Sequence, residues 1–109
     1  MFFNRNSGAK RISQKEAKDI LDNRNATLVD VRTPGEFAQG YIPGAMLLPL
    51  DRLAIDSSKK LPDKDAEILV YCLSGNRSRS AASLLARAGY TNVKDIGGIG
   101  SWPYGTTRG

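Results

Sequence analysis

The chain contains no histidine and only one cysteine among its 109 residues. Without histidine there is no imidazole base and no Cys-His pair. One cysteine excludes an internal disulfide and, with histidine absent, a structural zinc site built from the usual Cys and His ligands. No apolar run approaches the roughly 18–20 residues that a membrane-spanning helix needs. The opening Met1-Phe-Phe-Asn-Arg-Asn6 has neither a long apolar region nor a small-residue cleavage site, so no secretory signal is expected. Together these shortages point to the reducing cytoplasm, with no metal and no membrane partner.

Hydrophobic residues make up 40% of the chain and charged ones 25%, enough for one modestly sized core. Residues 1–11 are expected to be a flexible lead-in and 12–109 a single domain. The net charge is +5, yet Lys10-Arg11, Lys59-Lys60 and Arg77/Arg79 are scattered. No basic run interleaved with aromatics is present, so no nucleic-acid partner is expected. The positive excess reads as a solvated surface that also attracts small anions.

Ser13-Gln-Lys-Glu16 is a capping-box pattern, and Ala17, Ile20 and Leu21 form a stripe, predicting a helix over 14–22. Thr27–Val31, Met46–Pro49, Glu67–Tyr71 and Val93–Ile96 read as short strands. Pro34–Phe37 starts a brief helix, Asp51 caps a helical turn through Leu53 and Ile55, and 56–66 is a polar connection. From Ser78, the residues Ala81, Ala82, Leu84, Leu85 and Ala88 mark a further helix, stopped by Gly89. Strands alternating with helices imply an α/β sandwich around a mainly parallel sheet. Ligands of such sheets bind beyond the carboxyl ends of the strands, where Asp30 and Cys72 both fall.

Cys72 is followed by Leu73, Ser74, Gly75, Asn76, Arg77 and Ser78 at a strand-to-helix junction. Such a junction aims backbone N–H groups and a helix N-terminus at one small volume, an environment for an anion. A thiol held there is driven towards thiolate, the nucleophilic form. Lowering its pKa by about two units requires roughly 2.7 kcal/mol of preferential thiolate stabilisation. A helix N-terminus supplies about 0.3–2 kcal/mol, and loop N–H bonds together with the Arg77 and Arg79 charges could close the gap. Gly75 permits the tight turn, Ser78 serves as helix cap or hydroxyl donor to sulfur, and Arg77 either bridges the loop to a carboxylate or contacts an anionic substrate. The plain alternative is that Cys72 is a small buried hydrophobe.

At these residues the sequence resembles the rhodanese family of sulfurtransferases, in its short single-domain form, over roughly residues 12–104. Leu28-Val-Asp30-Val-Arg32-Thr-Pro-Gly-Glu36-Phe37 is similar to the family's entry motif, and Gly40-Tyr41-Ile-Pro-Gly-Ala45 to its second, where histidine is more usual at Tyr41. Val70-Tyr-Cys72-Leu-Ser-Gly75-Asn-Arg77-Ser78 resembles the active-site loop, and Gly97-Gly98-Ile-Gly-Ser-Trp102 the closing motif. The resemblance implies a three-layer sandwich with a mainly parallel central sheet flanked by helices. It implies ping-pong transfer of sulfane sulfur from thiosulfate or a persulfide donor, through a Cys72 persulfide, to cyanide or a thiol. No cofactor is implied, and proteins carrying or receiving persulfide are further expected partners. Four residues separate Cys72 from Arg77, whereas the related cysteine phosphatases and arsenate reductases carry five. The alternatives are therefore, first, a sulfur-carrier or regulatory module with little thiosulfate turnover and, more remotely, phosphatase or arsenate chemistry.

Three further residues are expected to support the loop. Arg32 and Glu36 are spaced to pair across one helical turn, and Asp30 is placed to orient Arg77 or the loop. Tyr41 is expected to pack in its loop, and Trp102 over the core or the rim.

Overall fold

The computed structural model describes residues 9–109. Its centre is β4 (Ile68–Cys72), whose five residues are all buried. A continuous Ile-Leu-Val-Tyr-Cys run is what a parallel strand covered on both faces requires. On either side lie β2 (Thr27–Asp30) and β5 (Val93–Gly98), and beyond them β3 (Met46–Leu47) and β1 (Ala9–Arg11). The order is β1-β5-β4-β2-β3 and every pairing is parallel.

Alternate residues of the central strand face opposite layers. Ile68, Val70 and Cys72 join a core with Leu53 of α3 (Leu50–Lys60) and Ala81, Ala82 and Leu85 of α4 (Asn76–Arg87). Leu69 and Tyr71 join the other, with Ala17 and Ile20 of α1 (Gln14–Asn23) and with Trp102. This is a three-layer α/β sandwich, the architecture that the resemblance implied. A short α2 (Pro34–Ala38) follows β2, and a 3-10 turn (Ile99–Ser101) follows β5. No helix among the described residues is long and apolar enough to cross a membrane.

Beyond shifts of one or two residues at the strand ends, the elements differ from expectation in three places. Ala9–Arg11, assigned to the flexible lead-in, pair in register with Val93–Asp95 as a sheet strand; the remainder of that lead-in, 1–8, lies outside the described residues. Two of those three residues are basic, so composition hides a strand that backbone pairing stabilises. Next, the helix beginning near Asp51 starts at Leu50 behind Pro49 and continues through the expected polar connection to Lys60. Ser57 is its second buried contact after Leu53, Arg52 and Asp56 pair one turn apart, and the Tyr90 hydroxyl donates to the carbonyls of Ser57 and Leu61. Finally, α4 begins at Asn76, two residues before Ser78, with Gly75 as its N-cap.

Two glycines of β5 shape the end of the sheet. Val70 pairs with Asp95 but Cys72 with Gly98, so β5 holds one extra residue there, a bulge accommodated by Gly97 at φ +86°. Gly98 has an ordinary φ but lies against the backbone of the cysteine loop: an added Cβ would collide with the Leu73 carbonyl and lie 2.7 Å from Ser74 Cα. Both obstacles are backbone, so relief requires displacing the loop. Gly98→Ala is expected to destabilise the fold by about 1–3 kcal/mol, read as a lower urea midpoint than wild type. An unchanged midpoint would mean that the loop yields freely at this contact.

Candidate active site

Cys72 is the last residue of β4 and its thiol is free and fully buried. The chain then turns through Leu73 and Ser74, both exposed, and Gly75 takes φ +108°, a conformation that a side chain would strain. That turn brings the Gly75 N–H to 3.0 Å from Sγ. Ser78, in the first turn of α4, places its hydroxyl 3.6 Å from the sulfur and within 3.2 and 3.3 Å of the Gly75 and Gly97 carbonyls. A hydroxyl has one proton and two lone pairs. It can therefore donate to a carbonyl while accepting from the thiol, then turn its proton to sulfur when the thiol ionises.

Burial pushes the Cys72 thiol up, because an ion is disfavoured away from water. The Ser78 hydroxyl and the N–H groups of Ser78, Gly75 and Ser74 outweigh that effect and hold the thiol below its ordinary value. The stabilisation is made of dipoles converging on one atom, with no base involved.

Arg77 and Glu36 form a two-pronged ion pair, Nη1–Oε1 at 2.7 Å and Nη2–Oε2 at 2.9 Å. Of the two roles expected for Arg77, bridging the loop to a carboxylate is therefore the one seen. The carboxylate is itself fixed by a capping box: Glu36 Oε1 accepts from the Thr33 N–H, and the Glu36 N–H donates to Thr33 Oγ1. The expected Arg32–Glu36 pair is absent. Arg32 precedes the Thr33 cap and so lies outside α2, where one-turn spacing has no meaning. It folds back on Asp30 instead, giving Nε and Nη2 to the carboxylate at 3.0 and 2.7 Å and Nη2 also to the Gly40 carbonyl at 2.7 Å. Asp30, fully buried, thus holds Arg32 and makes no hydrogen bond to Arg77 or the loop. Of the remaining loop residues, Asn76 is exposed and opens α4.

Tyr41 packs in its loop as expected, stacked on Phe37 with ring centroids 4.0 Å apart. Trp102 packs into the core on the α1 face. Among the described residues no three acidic or cysteine side chains come together as a metal site would need.

Four site-shaping residues escaped the sequence reading: Arg11, Gln14, Asp95 and Gly98. Arg11 Nη2 donates to the Gly75 carbonyl at 2.9 Å while its Nε donates to Asp95 at 2.8 Å. Gln14 Nε2 donates to the carbonyls of Ile96 and Gly98, pinning the end of β5 beneath the loop. Asp95 carried a signal, a carboxylate within a short apolar strand, which implies a cation partner when buried, and Gly98 stood in the closing motif without an assigned role.

The Glu36 carboxyl is lowered from 4.5 to about 2, first by its hydrogen bond with Arg77 and next by the Thr33 N–H. Because the folded value lies below the unfolded one, this group contributes stability above pH 4.5 and loses it as pH falls towards 2. Glu36→Gln is expected to be less stable than wild type by about 0.5–1 kcal/mol at pH 7, the range of a partly exposed pair. The gap should close between pH 4.5 and 2, measured as urea midpoints against pH. A gap constant over that range would remove the ion pair as its cause.

Known proteins share both sequence and fold. A family model, Rhodanese-like domain, matches residues 13–103. A sulfurtransferase of Allochromatium vinosum is 41% identical over 91 residues, covering 83% of each chain. Thiosulfate sulfurtransferase GlpE of Pseudomonas putida is 37% identical, covering 85% of this chain and 84% of its own. A solved rhodanese-related protein of Thermoplasma volcanium superposes with a TM-score of 0.78 at 29% identity, covering 90% of this chain and 97% of that one. Matching along nearly its whole described length, the chain belongs to the rhodanese-like domain family, among relatives that are sulfurtransferases.

Proposed function

We propose that the protein moves sulfane sulfur from thiosulfate, or from a persulfide donor, to a thiophilic acceptor through a persulfide on Cys72. The observation that carries this reading is the buried Cys72 sulfur gripped by the Gly75 N–H and the Ser78 hydroxyl, which favours a charged sulfur without a base. Cys72 thiolate attacks the outer sulfur of thiosulfate. A new S–S bond forms as the old one breaks, and sulfite leaves with the electron pair. One negative charge then rests on the outer persulfide sulfur. Cyanide or a thiolate attacks that sulfur, the S–S bond breaks towards Cys72, and the thiolate is regenerated. Electrons balance within each step, so no external oxidant or reductant enters.

Loop dipoles fixed before the reaction stabilise both anionic forms, which is the electrostatic preorganisation that group transfer exploits. Leu73, Ser74 and Asn76, the exposed loop residues, are the side chains placed to meet donor and acceptor. Arg77 braces the loop through its two-pronged pair with Glu36, which uses two of its five N–H groups and leaves the others for an anionic donor. A cytoplasmic setting, where a single thiol stays reduced, completes the reading.

Intact-protein mass spectrometry after thiosulfate treatment tests it, with Cys72→Ser as control. Wild type should gain the mass of one sulfur and lose it again with cyanide, while the variant gains nothing. Failure of wild type to gain sulfur from either thiosulfate or a persulfidated protein would overturn the reading.

A further inference from the structure

Arg11 belongs to an edge strand, 64 residues from the loop it touches. Its guanidinium spans two fixed points. One is the Gly75 carbonyl. The other is Asp95, a buried carboxylate in β5 that also accepts from the Gly97 N–H at 2.9 Å. The group also lies against the bare face of Gly75: a Cβ there would sit 3.1 Å from Nη2 and 3.3 Å from Nη1. The Gly75 carbonyl receives two other donors, the Ser78 hydroxyl at 3.2 Å and the Arg79 N–H at 3.3 Å, both longer and both from α4. Arg11 is thus the one charged donor to that carbonyl, and it ties the residue to the sheet rather than to the helix.

We infer that Arg11 is a positioning residue for Cys72: by clamping Gly75 between β5 and the loop, it keeps the Gly75 N–H aimed at the sulfur. The inference rests on the proposed chemistry for its purpose but on geometry for its substance. The Gly75 N–H and carbonyl belong to successive peptide units joined at its α-carbon, so the clamp acts by holding that α-carbon in place, through the carbonyl and the guanidinium packed on its bare face, against the turn that presents the N–H. The clamp works through placement rather than net charge. The charged groups around the loop are three pairs, Arg11 with Asp95, Arg77 of α4 with Glu36 of α2, and Arg32 with Asp30 at the end of β2, plus exposed Arg79 of α4. In each pair a carboxylate offsets the cation. The Arg11 side chain is 45% exposed, so its removal leaves no large core cavity.

The test is the pH dependence of Cys72 alkylation by iodoacetamide, which reads the thiol without any sulfur donor. In Arg11→Met the midpoint should rise by about half to one pH unit, with a threefold to tenfold slower rate at pH values below both midpoints. Arg11→Lys keeps the charge but loses the fork that reaches both Gly75 and Asp95, so its midpoint should rise too. Arg11→Met combined with Asp95→Asn removes the stranded carboxylate, still offers an oxygen to the Gly97 N–H, and should show the same rise with a preserved urea transition. A midpoint unmoved in a folded Arg11 variant would overturn the assignment, whatever happened to stability. If wild type takes up no sulfur yet the alkylation midpoint shifts as stated, the proposed reaction fails and the positioning role stands.

Discussion

A sulfur held in a setting that favours its charged form, while buried at the end of the central strand, is the constraint on which the surrounding structure depends. Burial alone favours the neutral thiol, and a chain without histidine cannot compensate with an imidazolium. What remains is a set of N–H and O–H dipoles, and dipoles act only at close range and in good alignment. The 3.0 Å approach of the Gly75 N–H is therefore as much a demand on the backbone as a property of the cysteine. The glycine at φ +108°, the bulge at Gly97 and the bare α-carbon of Gly98 are three conditions that the same few cubic ångströms impose.

Holding such a loop is the work of side chains outside it. Arg77 reaches across to α2, where Glu36 is already immobilised by the Thr33 capping box, so a brief helix with no buried residue acquires a clear role. Arg11 reaches in from β1, and Gln14 secures the strand on which Arg11 also depends. Gly100 donates its N–H to the Leu73 carbonyl, so the closing 3-10 turn joins the same support. These contacts come from elements spread from one end of the described chain to the other. The loop is local in sequence, but its conformation is held by the whole fold.

That contrast explains what was legible beforehand. Strands and helices built on apolar periodicity, such as β4 with its Ile-Leu-Val run and α4 with its alanine-rich stripe, announce themselves locally. So do the glycine turn after Cys72 and the helix behind it. The strand β1 did not, because it is three residues long and two are basic, and its evidence is a backbone ladder to residues more than eighty positions away. Arg11 was invisible for the same reason. The ion pairs misled more instructively. Arg32 and Glu36 have helix-pair spacing, yet the helix begins between them at Pro34, and each finds a better partner: Arg32 a fully buried aspartate two residues back, Glu36 an arginine 41 residues on. Spacing rules apply only within the element whose periodicity they assume.

The pairing of every nearby buried or half-buried cation with a carboxylate has a consequence for catalysis of the proposed kind. A free guanidinium beside the sulfur would stabilise thiolate, but it would also hold the departing sulfite. Arg77 is paired with Glu36, and Arg11 with Asp95 and a carbonyl. The anion-stabilising task then falls chiefly to the Ser78 hydroxyl and the loop N–H groups, whose partial charges favour the thiolate and the persulfide while carrying no net charge of their own. Because the negative charge moves by only one S–S bond, about 2 Å, between the two forms, a fixed cradle of dipoles serves both without rearranging. In this design the paired arginines chiefly give rigidity, with Arg77 adding its charge at a distance, while the Ser78 hydroxyl and the amides make the direct contacts to sulfur. That separation of roles is why a loop with a single ionisable nucleophile and no base is sufficient for the chemistry proposed.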